Sequence, residues 1–478
     1  MLRNWGYVQL LCIWWAYQGC TLAQKALLHE SIDTRAEATW DAALQIWEWA
    51  EPGYQEVKSS QLLAEELAAA GFSVQRGVAE IPTAFVASFG DQEPVIGILG
   101  EYDALPGLSQ KALPNRDPAR EGGYGQGCGH HLFGAASMSA AIALAEQIKT
   151  GQIQGTVRFY GCPAEEGGSA KVFMVRAGLF EECAAVLHWH PSGKNSAGDR
   201  GSLARNAVKF RFHGKAAHAA GQPEQGRSAL DAVELTNHAA QLLREHTPDR
   251  TRIHHVITYG GGAPNVVPDL AEVYYYVRHP DAEVVRELYR RLVLCADAGA
   301  LATETRLEID FQGGIMQLLS NSTLAEVALR NLRELNDLRY TAEDALFAAR
   351  IQQTMATPLP LETVHDVYDE TGATGMGSTD VGDVSWVVPT TGFTTACFVP
   401  GTPGHSWQVV ACGATPIARR GMQLAARVMA ATAWDVFQNP NLRVAAREEL
   451  AERLGERAYH ALMPPAQEPP LNYRKPLR

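Results

Sequence analysis

The sequence predicts an α/β fold with a central mixed sheet and an inserted α+β domain of the ferredoxin-like type. Apolar runs such as 94–100 and 184–191 alternate with helical segments and end in polar residues, as the buried strands of open α/β sheets do. The pattern changes at Val208, where strands with one polar face begin. From there to Phe311 the order of elements is β-α-β-β-α-β, which indicates a separate, compact unit.

The composition is that of an ordinary globular protein and limits the classes of function. Of 478 residues, 46% are hydrophobic and 20% charged. The net charge of −12 and the pI of about 5.7 argue against a nucleic-acid partner. The eight cysteines follow no pairing pattern, so we expect no disulfide scaffold. The length suggests more than one domain, namely a main domain over 24–206 and 317–478 and an inserted domain over 207–316.

Residues 1–23 have the features of a secretory signal peptide. Arg3 supplies a positive charge, 8–16 is mostly apolar, and 21–23 offers small residues at a cleavage site. The apolar stretch is too short for a stable membrane span. We expect a periplasmic or secreted protein if the segment is a signal peptide and a cytoplasmic protein if it is only an extended N-terminus. Lipidation of Cys20 is left open.

The first quarter of the chain alternates between helices and strands. Residues 27–49 carry apolar side chains at every third or fourth position, which predicts a helix. Ser59 is a suitable N-cap for a second helix that ends at Gly71. Strands are expected at 72–75, 84–89 and 94–100, and the uninterrupted apolar run of the last one is typical of a buried parallel strand.

The densest group of candidate metal ligands lies in 125–131. Cys128, His130 and His131 occupy it with three glycines, and thiolate and imidazole are ligands for borderline-soft divalent metals. The Ala-rich residues that follow predict a helix from Leu132 to Lys149, whose N-terminus would favour the thiolate. The alternative is a tight glycine turn around a buried thiol.

Paired acids follow two of the predicted strands. Glu101 and Asp103 come after the apolar run 94–100, and Glu165 and Glu166 come after a strand that ends near Tyr160. The carboxyl ends of buried strands are where open α/β sheets build their sites. Adjacent side chains point in different directions, so one glutamate can bind a metal while the other holds a water. Solvated loop acids are the alternative for both pairs.

Two histidines lie on the next predicted strand, 184–191. His188 and His190 alternate with Trp189, so both point to one face of the sheet. The inserted domain then has strands at 208–212, 254–259, 271–278 and 307–311 and helices at 229–246 and 282–302. The main domain resumes near Ser320 with a helix over 324–335 and a variable polar loop. Polar motifs follow at 377–383 and 401–407, and the last helix covers 416–437. The tail after Leu454 is Pro-rich, and we expect it to wrap the surface.

Taken in order, these motifs resemble the aminoacylase/carboxypeptidase family of dinuclear metallopeptidases. The matching segments are 101–105, 127–130, 165–168, 217–220, 265–268 and 401–405, and the segment 378–386 is particularly specific. The resemblance runs from about Leu28 to near the C-terminus. It implies a catalytic domain that holds two divalent metal ions and a smaller lid domain that forms the dimer. Ligation by cysteine, histidine and glutamate admits Zn²⁺ or Mn²⁺.

Carried over position by position, the resemblance implies a role for each candidate residue. The roles are metal ligand for Cys128 (bridging), His130, Glu166, His190 and His405; general base for Glu165; oxyanion contact for His218; substrate contact for Asn265 and Arg278; and support of the ligands for Asp103 and His188. One branch of the family selects His188 as the ligand, and the aminobenzoyl-glutamate branch selects His190, which we choose. His131 departs from the Asp or Asn of relatives and puts the orientation of the neighbouring ligand in doubt.

The activity that the resemblance implies is hydrolysis of the amide bond in N-acyl or N-aroyl amino acids, including aminobenzoyl-glutamate-like substrates. A dipeptidase or carboxypeptidase using the same site is the first alternative, and a non-catalytic binding member of the family is the second. We expect a small-molecule substrate, no nucleic-acid partner, no stable membrane span and a homodimer formed through the lid. A hetero-oligomer with a related subunit is the alternative assembly.

Overall fold

The computed structural model describes residues 25–474, which form two sheets and the helices around them. The larger sheet consists of eight strands: β1 (Ser73–Arg76), β2 (Phe85–Phe89), β3 (Val95–Glu101), β4 (Thr156–Cys162), β5 (Cys183–Ser192), β6 (Asn195–Ala197), β11 (Val367–Asp369) and β12 (Thr390–Ala396). Their order across the sheet is β1-β2-β4-β3-β5-β12-β6-β11. Because both parallel and antiparallel pairs occur, the sheet is mixed, as predicted.

Helices cover this sheet and bury its central strands. They are α1 (25–34), α2 (Ala36–Trp49), α3 (Val57–Ala69), α4 (His130–Lys149), α5 (Ala170–Arg176), α8 (Ser322–Leu335), α9 (Ala342–Gln352), α10 (Val381–Ser385), α11 (Trp407–Gly413), α12 (Pro416–Gln438) and α13 (Pro440–Leu454). Every residue of β3 is buried, and α4 packs against it. Gly134 permits the close approach, since a Cβ there would lie 2.6 Å from the carbonyl oxygen of Glu101.

The second sheet and its two helices form the inserted unit. The elements are β7 (Ala204–His213), α6 (Ala229–Arg244), β8 (Arg252–Tyr259), β9 (Leu270–His279), α7 (Ala282–Thr303) and β10 (Arg306–Ile315). The four strands are antiparallel and lie in the order β10-β7-β9-β8. The two helices pack on one face and enclose a core of their own. The predicted β-α-β-β-α-β unit of ferredoxin-like type is therefore confirmed. The limits of the two domains stay a prediction.

The structure corrects two local predictions. Helix α3 begins at Val57, so Ser59 lies inside the helix and is not its N-cap; its hydroxyl donates to Glu51 Oε2 at 2.7 Å. The predicted polar loop before residue 377 contains helix α9, which is stabilised by a capping box between Thr341 and Asp344. The first error misplaces a helix start and the second misses a helix; at both N-termini, side chains outside the apolar pattern accept the backbone hydrogen bonds.

Two element boundaries differ from those predicted, and one helix was missed. Helix α4 begins at His130, so two of the candidate ligand positions belong to its first turn. Strand β7 begins at Ala204, before the predicted start at Val208. Helix α13 was not predicted, and the tail after it buries Leu462 and Met463 instead of only covering the surface.

The signal peptide predicted over 1–23 and the question of Cys20 lie outside the described residues. Within 25–474, no helix combines the length and the apolar character that a membrane-spanning helix requires.

Candidate metal centre

The candidate ligands meet in one cleft at the carboxyl ends of the central strands. Strand β3 ends at Glu101, β4 runs into the turn that carries Glu165 and Glu166, and β5 carries His190. These strands are parallel neighbours, so their carboxyl ends share one edge of the sheet. The cleft has a volume of about 620 Å³, and strand β9 of the second sheet contributes Arg278 to its wall.

Cys128, His130 and His190 form what we call the first donor group. One possible ligand atom from each residue lies within 4.8 Å of the others. Cys128 Sγ and His190 Nε2 are 3.3 Å apart. The backbone enters α4 through Gly129 at a φ of 84°, and a Cβ there would lie 2.8 Å from Pro191, so a glycine is required for this tight approach.

Cys128, Glu166 and His405 form the second donor group, again with ligand atoms within 4.8 Å of one another. His405 Nε2 lies 3.2 Å from Glu166 Oε1. His405 has a φ of 53°, which is uncommon for a residue other than glycine, and its N–H donates to the carbonyl of Gly127 at 3.1 Å. The shared cysteine joins the two groups.

The donor sets fit divalent metal ions. His130 Nε2 and Glu166 Oε1 are buried and make no hydrogen bond of acceptable geometry within the described chain, although other polar atoms lie 3.2 Å away. Buried polar atoms are rarely left without a hydrogen bond. These two unpaired atoms are therefore available to bind a metal ion. The combination of sulfur, nitrogen and oxygen donors suits Zn²⁺ and is compatible with Mn²⁺.

Asp103 orients two members of the donor groups. Its Oδ1 lies 2.7 Å from His130 Nδ1, which leaves Nε2 of that ring directed at the donors. Its Oδ2 accepts the backbone N–H of Glu166 at 2.9 Å. A carboxylate behind a ligating histidine fixes the tautomer and the orientation of the ring. The contact with Asp103 orients His130 independently of His131. His131 Nε2 lies 2.9 Å from the carbonyl of Gly413.

The charges of the site favour ionised ligands. Burial and the nearby Glu166 carboxylate oppose ionisation of Cys128, but the charges of His190 and His130 outweigh them and lower its pKa to about 6. Burial likewise opposes ionisation of Glu166, but His405, whose Nε2 lies 3.2 Å from Glu166 Oε1, lowers the pKa of Glu166 to about 2. A thiolate and a carboxylate are the ligand forms that metals require.

Glu165 faces the donors and belongs to a third group of close atoms, with His130 and Glu166. Burial, followed by the charges of Glu166 and Glu101, raises the pKa of Glu165 well above its usual range. The turn that carries Glu165 is strained, because Ala164 has a φ of 54°. The N–H of Ala164 donates to the buried carboxyl of Glu56 at 2.8 Å, which holds the turn in this conformation. Such backbone outliers concentrate at functional sites.

The two histidines of β5 occupy different positions in the cleft. His190 is a member of the first donor group, whereas His188 lines the cleft outside the donor groups. The ring of His188 packs on Gly392, where a Cβ would lie 2.3 Å away. Burial, followed by the charges of His190 and Lys171, lowers the pKa of His188 to about 3. His188 is therefore neutral, and its Nε2 has no hydrogen-bond partner among the described residues.

Only one of the three candidate residues in the inserted unit lines this cleft. Arg278 does so, stacked on Tyr276 at 5.3 Å and donating to Ser378 Oγ at 3.3 Å. His218 and Asn265 are exposed and are not among the lining residues. His218 Nδ1 accepts backbone N–H groups of its own loop, the shorter contact being 3.0 Å from Gly221.

The structure adds cleft residues that sequence reasoning missed. Arg205, Tyr276 and Arg474 line the cleft, and Lys171 forms buried ion pairs behind it. Arg205 could have been identified from the sequence, because it is a charged residue next to the apolar residues at the start of β7. Arg474 lies in a Pro-rich tail without a periodic pattern, so no local signal identified it.

Known proteins resemble this chain over most of its length. Residues 201–304 match the family description peptidase dimerisation domain. The chain is 39% identical to one of the subunits of p-aminobenzoyl-glutamate hydrolase from Escherichia coli (strain K12), over 91% of this chain and 97% of that protein. It is 30% identical to the Xaa-Arg dipeptidase of Mus musculus, over 89% of this chain and 92% of that protein.

A solved structure shares the fold at low sequence identity. A dinuclear metal binding peptidase from the M20 family of Bacillus subtilis superposes with a TM-score of 0.56 at 17% identity, over 85% of this chain and 99% of that one. The family resemblance drawn from the motifs is confirmed by these comparisons.

Proposed function

Because this chain belongs to the M20 peptidase family, whose members are hydrolases, we propose that it hydrolyses the amide bond of N-acyl or N-aroyl amino acids. One observation carries the proposal: two donor groups share the Cys128 thiolate, and the Glu165 carboxylate faces them. This arrangement is what a hydrolase with two metal ions and a glutamate base requires. Aminobenzoyl-glutamate-like compounds are the substrates to test first.

The proposed metal ligands are the members of the two donor groups. One divalent ion is assigned to Cys128, His130 and His190, and a second to Cys128, Glu166 and His405, with Zn²⁺ or Mn²⁺ as the candidates. When bound, two such ions acidify a water and polarise the carbonyl of the substrate. Asp103 holds His130 in position through the contact at Nδ1.

Glu165 is the proposed general base. It removes a proton from the attacking water at its carboxylate and delivers that proton to the nitrogen of the departing amino acid. The raised pKa of Glu165 makes its carboxylate a stronger base towards the attacking water. The location of Glu165 at the donor groups supports this role.

Residues of the inserted unit are proposed to bind the substrate. Arg278 lines the cleft, where its guanidinium can pair with the substrate carboxylate through two hydrogen bonds. His218 is assigned to the oxyanion that develops on the carbonyl oxygen, and Asn265 to the substrate carbonyl region. Since both residues are exposed and outside their own chain's cleft, their positions support action on the cleft of a second copy.

A homodimer formed through the second sheet is the proposed assembly. The match to a peptidase dimerisation domain supports oligomerisation. Strand β8 lies at the edge of its sheet and exposes Val256 and Ile257, so pairing with a second copy would cover both. The relative from Escherichia coli is named as one subunit of its enzyme, which keeps a hetero-oligomer with a related chain as the alternative. We propose a periplasmic or secreted location if residues 1–23 are a signal peptide and a cytoplasmic one otherwise.

A dipeptidase is the second candidate function. The 30% identity to an Xaa-Arg dipeptidase favours it, and the same site chemistry would serve a peptide bond. A non-catalytic binding role is disfavoured because the proposed base and every proposed ligand type are present.

The test is a matched panel of metals and substrates. Purified protein loaded with Zn²⁺ or Mn²⁺ is assayed on N-benzoyl and p-aminobenzoyl amino acids and on dipeptides, with metal content measured in parallel. We expect each chain to bind two metal ions and to hydrolyse the N-aroyl compounds fastest. Faster turnover of dipeptides would favour the second candidate function. Bound metal without turnover of any compound would overturn the proposal in favour of a binding role.

A further inference from the structure

The C-terminal segment returns to the metal cleft after α13 ends. Tyr459 donates its hydroxyl to Asp383 Oδ1 at 2.8 Å, and Arg176 donates to the carbonyl of Gln467 at 2.9 Å. Between these contacts Leu462 and Met463 are buried in the protein core. The segment is therefore held along its length by packing and hydrogen bonds.

Tyr473 connects the end of this segment to the backbone of Glu166, a proposed metal ligand. Its hydroxyl donates to the carbonyl of Glu166 at 3.0 Å, and its ring meets Tyr54 edge-on at 5.8 Å. Gly53 makes room for it, because a Cβ there would lie 2.4 Å from the tyrosine hydroxyl. A Cβ at Gly167 would lie 3.4 Å from Tyr473 and 3.6 Å from Tyr276, so the C-terminal segment and strand β9 both approach the turn that carries Glu165 and Glu166.

Arg474 projects from this anchored segment into the cleft. Its Nη2 donates to the carbonyl of Glu166, while its Nε is buried without a hydrogen-bond partner within 25–474. Arg205 and Arg278 line the same cleft, and the Nε of each is likewise buried without a partner in the described chain. Arg200, which also lines the cleft, differs because it pairs with Glu370 at 2.8 Å.

The three arginines lack a carboxylate partner within the described residues. No ion pair within 4.0 Å involves Arg205, Arg278 or Arg474 in that part of the chain, although Arg205 is only 6% exposed. Buried guanidinium groups without an anion are costly, so a cleft that collects them is suited to a ligand with more than one negative group. The proposed function assigns one carboxylate, at Arg278, and leaves two arginines without a role.

We propose that the C-terminal segment completes the substrate cleft and that Arg474 is a specificity residue, which binds the side-chain carboxylate of an N-acylated acidic amino acid. The proposal rests on the proposed function for the substrate class. Arg205, stacked on Tyr276 at 4.8 Å, lies on the lid side of the same cleft. Arg474 donates one N–H group to the carbonyl of Glu166. The remaining N–H groups of its guanidinium are available to bind the substrate.

The experiment compares N-benzoyl-glutamate with N-benzoyl-glutamine, which have the same shape and differ in side-chain charge. Arg474→Ala should lower kcat/KM for the glutamate compound at least about tenfold, as expected for losing a charge-assisted hydrogen bond, mainly through KM. The glutamine compound should be almost unaffected, and Arg474→Lys should recover part of the loss. The matched control is Arg447→Ala, an exposed arginine on α13 away from the cleft.

A binding measurement separates failure of this inference from failure of the proposed function. Calorimetry with metal-loaded Glu165→Gln protein, with and without Arg474→Ala, reports affinity for both compounds whether or not the parent turns them over. A selective loss of affinity for the glutamate compound supports the role of Arg474. Equal losses for both compounds, or loss of bound metal, would reduce Arg474 to a structural contact with Glu166 and overturn the inference. An unchanged preference would overturn it as well.

Discussion

At the scale of single residues, the histidines of β5 show how a displacement of two positions along a strand changes the surroundings of a side chain. His190 reaches Cys128 Sγ at 3.3 Å, whereas His188 packs on Gly392 outside the donor groups. The acidity of the rings differs accordingly. Burial opposes protonation of His190, but the charge of Cys128 outweighs it and raises the pKa, whereas burial lowers the pKa of His188 to about 3.

We expect His190→Ala to lose one metal ion more readily than His188→Ala. Removal of a direct ligand should weaken binding by more than the ~10–100-fold typical of losing an outer-shell partner, and His188→Ala should stay below that range. Metal content after dialysis against graded chelator measures the difference. The reverse order would make His188 the ligand.

Glu165 and Glu166 are neighbours in sequence with opposite electrostatic environments. We expect Glu165→Gln to lower kcat by at least ~10²-fold with metal content unchanged, because the amide keeps the shape of the side chain but cannot accept a proton. Glu166→Gln is the matched control and should instead lose metal. Near-normal turnover by Glu165→Gln would remove that residue from the role of base, and loss of metal in that variant would exchange the two roles.

At the scale of elements, one buried lysine joins three of them behind the cleft. Lys171 in the first turn of α5 contacts Glu101 at the end of β3 at 2.6 Å and Asp380, just before α10, at 2.7 Å. All three side chains are buried. Burial opposes protonation of the amine, but the two carboxylates raise the pKa of Lys171 well above its usual range. The network holds β3 beside His130, whose Nε2 is 3.2 Å from Glu101.

Lys171→Met should lower the free energy of unfolding by about 3–5 kcal/mol, because it leaves two buried carboxylates without their counter-charge. Denaturant unfolding of the metal-free protein measures the change. Lys194→Met is the matched control, since Lys194 pairs with Glu370 at 2.6 Å but is 39% exposed, and such pairs contribute about 1 kcal/mol or less.

A second substitution isolates the charge effect in this network. Adding Asp380→Asn to Lys171→Met removes one of the unpaired charges and should restore part of the stability. If Lys171→Met were no more destabilising than Lys194→Met, the buried network would not hold these elements together.

At the scale of the whole molecule, the main feature is the separation between the donor groups and two candidate residues of the inserted unit, His218 and Asn265. The proposed metal ligands lie on the larger sheet, its helices and its loops, while His218 and Asn265 are exposed in loops of the inserted unit. Side chains so placed can act on the substrate only after a domain movement or in the cleft of a neighbouring copy. The exposed edge of β8 favours the second arrangement.

Two inactive variants should therefore complement each other. His218→Ala and Glu165→Gln, mixed and allowed to exchange chains, should form heterodimers in which one cleft has both functional groups. Random exchange leaves about a quarter of all clefts intact, so about a quarter of the parental activity should return. No recovery, with exchange verified by differently tagged chains, would mean that His218 acts within its own chain or not at all.

The amino-acid sequence by itself determined the fold class, the ferredoxin-like insertion and the order of the candidate ligands. These features depend on local patterns: apolar runs that end in polar groups, and periodicities of two and of three to four residues. Helix α9 was missed although Thr341 and Asp344 supplied a local capping signal, so that error lay in the interpretation.

Only the tertiary structure decided which side chains share a cleft. It brought His190 rather than His188 to Cys128, left His218 and Asn265 outside their own chain's cleft, and directed Arg474 of the tail at Glu166. Such contacts join residues tens to hundreds of positions apart, and neither hydrophobic period nor turn chemistry carries that information. They are set by how the helices and both sheets pack, which is a property of the whole chain.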